Sequence, residues 1–309
     1  MALYPRFLAV LAAVALTSTM ASPAFAQRTS NQNQDPNQPE VSEGGGRASR
    51  GRQARASRAP SEAEVRTAVQ GHLTALGNTC QMTETKLLGQ AADKTSMYEI
   101  SCATGPGYIV LGSTPPSATD CLVLASSAEN ARAKDPAADV GTVCAMPAND
   151  NGPAVFEAYA REAGMDCVID GAGIVGAAAD GAVVYEIGCA NADGARIQKS
   201  ASGWTRSPCF ELASINSICK FTQPAEQAAT LKSWLTGSDA AACDVQQARF
   251  MGQNANGSFY EAACAGADGV IVRFNAEKAV AQVYPCATAQ QIGGGCKLTT
   301  TPPAATPQA

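Results

Sequence analysis

The chain has 309 residues, 12 of them cysteine, with 22 basic and 27 acidic side chains for a net charge of −5. Residues 1–60 carry seven of the basic and three of the acidic groups, which leaves 15 basic and 24 acidic groups in the rest, a net of −9. A body this acidic excludes nucleic-acid binding through phosphate contacts, which need clustered Lys and Arg.

Residues 1–26 read as a secretory signal. Arg6 supplies the positive start, Phe7 to Leu16 the apolar run, and Ala24-Phe25-Ala26 the small-x-small cleavage pattern. The run is too short to cross a bilayer, which takes ~20 residues. Export to the periplasm or the medium as a soluble protein is therefore the expectation, and the twelve cysteines are then read as disulfides. The sequence contains no Cys-x-x-Cys and a single histidine, His72, so it lacks the ligand patterns of zinc, thioredoxin-like and haem-attachment sites. No cofactor is expected.

Residues 27–60 are polar and nearly devoid of apolar side chains, too hydrophilic to fold alone. The stretch is expected to be a disordered arm. Its basic groups Arg47, Arg50, Arg52, Arg55 and Arg58 serve either as a solvated linker or as an electrostatic contact with anionic envelope components. The tail 299–309, rich in Thr and Pro, is expected to be disordered as well.

Between them the chain repeats itself. Cys80, Gly89, Tyr98-Glu99, Cys102-Ala103 and Gly107 recur as Cys167, Gly176, Tyr185-Glu186, Cys189-Ala190 and Gly194. They recur again as Cys243, Gly252, Tyr260-Glu261, Cys264-Ala265 and Gly269. Three repeat units are expected, at 61–148, 149–222 and 223–298. A helix opens each. Ser61 and Glu64 form a capping box ahead of Val65, Val69, Leu73 and Leu76, while Pro153 with Gly164, and Pro224 with Gly237, punctuate the other two.

Strand alternation follows, with Val183, Tyr185, Ile187 and Cys189 on one face and Val184, Glu186 and Gly188 on the other. Turns fall at Gln90–Asp93, Ala178–Gly181 and Asn254–Gly257, and a further strand at Tyr108–Leu111 and Val270–Phe274. The fold class is thus α+β: three tandem disulfide-stapled units, each a helix followed by an antiparallel hairpin and a further strand.

The first two cysteines of each unit stand nearly equidistant from their turn, which places them opposite each other. The expected pairs are Cys80–Cys102, Cys167–Cys189 and Cys243–Cys264, with Cys121–Cys144, Cys209–Cys219 and Cys286–Cys296 closing the other loops. Four cysteines per unit allow three connectivities. The first unit alone carries a long polar insertion, Ser126–Val143, a loop that is either a candidate recognition element or the product of drift in a solvated segment.

No catalytic constellation emerges. His72 sits at the edge of an apolar helical face without a second histidine, so no Ser-His-Asp or Cys-His set forms, and no spacing points to a carboxylate pair. Glu99, Glu186 and Glu261 each follow the core Tyr and point to the opposite face, either as solvated strand residues or as an acidic row docking a basic partner. Trp204, in a polar stretch, is either an exposed interface anchor or covered.

The helix followed by Tyr98-Glu99-Ile100 or Tyr185-Glu186-Ile187 and a Gly-led strand resembles PepSY-type domains and the tandem repeats of the secreted β-lactamase inhibitor protein. The resemblance covers about 40 residues per unit. It departs in the four-Cys framework and at Tyr260-Glu261-Ala262. It implies exported α+β modules, several of which bind or restrain enzymes. The leading expectation is a non-enzymatic binding module with a protein partner, and the alternatives are an envelope structural factor tethered by the arm and a carboxylate-dependent hydrolase.

Overall fold

The computed structural model describes residues 58–91 and 93–299. The expectations for the leader 1–26, for the arm up to residue 57 and for the tail from residue 300 lie outside the described residues. Residues 58–299 belong to one compact unit.

Helix α1 (Glu62–Ala75) begins at the Ser61 capping box, in which both reciprocal hydrogen bonds form. Its apolar spacing puts Val65, Val69 and Leu73 against Tyr98, Ile100 and Val110 of the first sheet. That sheet is an antiparallel meander of β1 (Met82–Gln90), β2 (Ser96–Cys102), β3 (Tyr108–Leu111) and β4 (Ser117–Asp120). Helix α2 (Cys121–Lys134) follows at once. Asp120 caps it by accepting from the backbone N–H of Leu122 at 2.6 Å and of Val123 at 3.4 Å.

The Ser126–Val143 insertion is therefore helical over its first half, contrary to the expectation of a loop. Its Ala, Glu, Arg and Lys favour a helix, and the cap selects the start. Only Cys121, Leu122 and Ala128 of α2 are buried, so no apolar stripe announces it.

Helix α3 (Gly152–Glu162), with Pro153 in its first turn, precedes the second meander. Its strands are β5 (Ile169–Ala177), β6 (Val183–Cys189), β7 (Ala192–Ser200) and β8 (Gly203–Pro208), closed by the short α4 (Cys209–Ser214). Helix α5 (Pro224–Leu235) precedes the third, of β9 (Val245–Asn254), β10 (Gly257–Cys264), β11 (Val270–Phe274) and β12 (Val280–Pro285). Each sheet has four strands, one more than the alternation suggests, because β4, β8 and β12 are polar or mixed edge strands. Phe210 of α4 is buried in the core of the third sheet, its ring 5.3 Å from Tyr260 and 6.1 Å from Trp234, so the second and third sheets share apolar packing.

Six disulfides form: Cys80–Cys102, Cys121–Cys144, Cys167–Cys189, Cys209–Cys219, Cys243–Cys264 and Cys286–Cys296. All six match the expected pairing, with Cα separations of 5.4, 5.7 and 5.0 Å across the three hairpins. Such a set suits an oxidising compartment. Among the described residues no helix is long and apolar enough to cross a membrane.

Candidate interaction surface

Each recurring residue has a structural task, and these tasks decide which surface is left for function. The first repeated glycine sits at a bulge in the opening strand. Gly89, Gly176 and Gly252 have φ of 142°, 154° and 125°, and the strand register shifts beside each. The repeated tyrosines Tyr98, Tyr185 and Tyr260 enter the three cores. Burial raises the ionisation of the Tyr185 and Tyr260 hydroxyls well above the ordinary range.

The repeated glutamates correct the sequence reading. Glu99, Glu186 and Glu261 are all 0% exposed, so they form no acidic row on a surface and are not solvated strand residues. They do face away from the tyrosines, but that face is covered by the segment that leaves the last cysteine of each sheet. Glu99 Oε1 accepts from the backbone N–H of Ala145 at 2.8 Å and of Met146 at 2.7 Å, directly after Cys144. Glu186 Oε1 accepts from Phe221 N–H at 2.7 Å, two residues after Cys219. Glu261 Oε1 accepts from Lys297 and Leu298 N–H at 2.6 Å each, directly after Cys296. A buried carboxylate thus satisfies the orphan amides of each exit segment.

The last repeated glycine completes the clasp. A Cβ on Gly107, Gly194 or Gly269 would lie 2.0, 2.3 or 2.2 Å from a polar oxygen of Asn149, Thr222 or Thr299, each on the exit segment. Only glycine lets the chain pass that close.

The clasps differ in charge. Arg196 donates to Glu186 Oε2 at 3.2 Å, and also to Ser217 Oγ at 2.7 Å and to the Ile218 carbonyl at 2.8 Å. Arg249 donates to Glu261 Oε2 through Nε at 2.9 Å and through Nη2, and to the Gly295 carbonyl. Each arginine therefore ties a buried carboxylate to the loop closed by the second disulfide. In the first sheet Asn149 Nδ2 donates to Glu99 Oε1 at 2.9 Å, while Glu99 Oε2 is buried with no hydrogen-bond partner. Lys86 is the register partner of Glu99, yet it is exposed.

Two of these carboxylates also lie beside sulfur. Glu99 with Cys121 and Cys144, and Glu261 with Cys286 and Cys296, bring their potential ligand atoms within 4.8 Å. The sulfurs are joined as disulfides and present no thiolate to a metal.

Of the two alternatives for Trp204, the structure favours the covered one. It lies on β8, half-buried, its ring 4.9 Å from Tyr159, its Nε1 donating to Glu162 at 2.8 Å and Lys199 Nζ 5.3 Å above it. It packs on the edge of the second core rather than standing free. The hydrogen bond from Trp204 holds the Glu162 carboxyl below its ordinary range, with Lys199 adding to the effect. His72 packs 6.0 Å from Tyr98 at the rim of the first core, a packing role.

What remains exposed is concentrated elsewhere. In the Cys209–Cys219 loop, Ile215 is 71% and Ile218 81% exposed, while Val168 beside the hairpin disulfide is 75% exposed. Asn216 in this loop has φ of 58°, which turns the chain so that the two isoleucines flank it. The sequence gives a cue in two isoleucines inside a ten-residue disulfide loop.

A cleft of about 320 Å³ separates the second sheet from α5, lined by Met165, Asp193, Arg206, Trp234, Tyr260 and Lys278. Asp193 bridges it, accepting from Phe210 N–H at 3.2 Å and Gln227 Nε2 at 3.3 Å, while its own N–H donates to Thr230 Oγ1 at 2.5 Å. Burial pushes the Asp193 carboxyl up to about 6.

No known protein family, curated protein or solved structure matches the chain.

Proposed function

We propose that the chain is an exported, non-enzymatic protein-binding module built from three copies of one disulfide-closed unit, acting as an inhibitor or regulator of an envelope or secreted enzyme. The observation that carries the reading is the Cys209–Cys219 loop. Isoleucines at 71% and 81% exposure are costly to leave in water, at ~25 cal/mol for each Å² of apolar surface. A loop that is closed by a disulfide and held from behind by Arg196 and buried Glu186 is pre-organised, so a partner meets little ordering cost. Export rests on the leader pattern in residues 1–26 together with the six disulfides. The similarity to PepSY-type and β-lactamase-inhibitor-protein repeats points the same way.

The test is retention of a partner from the envelope and secreted fractions of the source cell on immobilised wild-type chain and on an Ile215→Asp, Ile218→Asp double variant. The proposal expects a discrete partner on the wild type and at least tenfold less on the variant, with thermal unfolding unchanged. Absence of any partner, or equal retention by both, would overturn it.

A further inference from the structure

A second surface stands out when the three sheets are compared position by position. The residue before each core tyrosine is Met97, Val184 or Phe259, and the residue two before the third cysteine of each unit is Thr119, Ser207 or Tyr284. The third sheet alone is aromatic at both places. The bulge glycine is followed by Gln90 and Ala91 in the first sheet and by Ala177 and Ala178 in the second. In the third it is followed by two carboxamides, Gln253 and Asn254. The shared framework does not require these residues, since the first two sheets form without them.

The differing residues meet in one place. Gln253 and Asn254 of β9, Phe259 of β10 and Tyr284 of β12 line an open groove of about 430 Å³, together with Gln291 and Ile292 of the Cys286–Cys296 loop. That volume falls within the ~300–1,000 Å³ of small-molecule sites. Gly293 brings the loop against the sheet: its φ is 56°, and a Cβ there would lie 3.1 Å from Met251 Cε. Phe259 and Tyr284 are half-buried and stand outside the third core, whose Tyr260 meets the rings of Phe210, Trp234, Phe250 and Phe274.

The polar groups of the groove are uncommitted and uncharged. Gln253 and Gln291 are exposed, and their side chains make no hydrogen bond among the described residues. Asn254 Oδ1 accepts from the Asn256 N–H at 2.8 Å, which leaves its Nδ2 to donate elsewhere. No ionised side chain lines the groove, whereas the cleft beside Asp193 also holds Asp166, Arg206 and Lys278. Arg273, the register partner of Phe259 on β11, donates to the Asn256 carbonyl at 2.8 Å and is not part of the lining. Carboxamides donate and accept, as hydroxyls do. Aromatic faces carry the partial negative charge that attracts weakly positive C–H bonds. A pyranose ring presents both surfaces at once, a C–H face and a hydroxyl rim. Strand β11 separates the two aromatic strands, a lateral distance of about 10 Å at ~4.8 Å per strand spacing, so a ligand that touches both rings is longer than one sugar.

We infer that this groove of the third sheet binds an uncharged oligosaccharide, with sugar faces on Phe259 and Tyr284 and sugar hydroxyls on Gln253, Asn254 and Gln291. The inference does not rest on the Cys209–Cys219 loop, and the two surfaces are separable by mutation.

The experiment titrates the full chain by calorimetry with tetrasaccharides of N-acetylglucosamine, of β-linked glucose and of α-linked glucose, and with a galacturonic acid tetrasaccharide as the charged control. The three uncharged probes distinguish an acetamido sugar from a plain glucan. The expected result is that at least one of them binds at least tenfold more tightly than the charged control. Phe259→Val and Tyr284→Ser install the residues that the second sheet carries at these places. Each should weaken binding at least fivefold, while Ile215→Asp, Ile218→Asp leaves it unchanged. Shifts of the Gln253 and Gln291 side-chain amide signals in the NMR spectrum of the wild-type chain are the accompanying signature, and they need no variant to fold. No binding of any uncharged probe, tighter binding of the charged control, affinity unchanged in both groove variants, or unmoved amide signals would overturn the inference. So would a cellular protein whose retention Phe259→Val abolishes while no tetrasaccharide binds, because the groove would then be a protein-docking surface.

Discussion

The clasps of the first and third sheets make the same contacts with different electrostatics. Glu99 and Glu261 each hold the two amides that follow a disulfide, and each is fully buried. Glu261 shares its burial with Arg249, whereas Glu99 shares it with the neutral amide of Asn149 and leaves one oxygen without a partner. The hydrogen bonds to the exit segment are therefore the common requirement, and the negative charge is not. Charge becomes indispensable only where an arginine has been buried against it.

Substituting Gln separates these two contributions. In Glu261→Gln, the partly exposed Arg249 loses its counter-ion, and the expected loss is about 1.5–3 kcal/mol in chemical denaturation with the disulfides intact. In Glu99→Gln the amide oxygen keeps the bonds to Ala145 and Met146, and the new NH₂ replaces an oxygen that bonds to nothing. That change should fall within about 1 kcal/mol of wild type. Equal losses would mean that the first clasp has a cation that the geometry does not contain.

A smaller effect probes the junction of the second sheet with α5. The folded pKa of Asp193, about 6, lies above the ordinary 3.8 because burial disfavours the carboxylate, while Arg206 works against that rise and Glu211 with it. A raised folded value means that the folded chain takes the proton first as pH falls. Its contribution is fully present below about pH 4 and is lost as pH rises through 6. Asp193→Asn should flatten the stability profile between these limits by about 1–2 kcal/mol, allowing for solvent screening. Denaturant midpoints measured at pH 4, 5, 6 and 7 check this, and an unchanged profile would remove Asp193 from the junction.

Much of the scaffold was legible in the chain. Helices α1, α3 and α5 announce themselves through apolar spacing with Pro and Gly punctuation, and the hairpin disulfides through cysteines equidistant from a turn. The strands β4, β8 and β12 did not, because none of their residues is fully buried and so no apolar alternation is imposed on them. Helix α2 was hidden for a related reason: Leu122 and Ala128 bury too little to leave a stripe, and the signal available was Asp120 as a cap. Strand alternation puts the three glutamates on the face opposite the tyrosines, and the structure shows that face to be covered. Strand alternation reports which side a residue takes, but the cover of that side comes from a segment about 35–50 residues later in the chain. The cue lay in the repeat itself, since a charge kept in all three copies beside a core tyrosine is explained by a buried bond more readily than by water.

The clasp is tested most directly by amide hydrogen exchange at Lys297 and Leu298 in Glu261→Ala, with Ala145 and Met146 in Glu99→Ala as the parallel case. The account predicts that each substitution accelerates exchange at its own pair of amides while the other pair stays protected. Protection that survives in both variants would show that the repeated glutamates do not hold the exit segments.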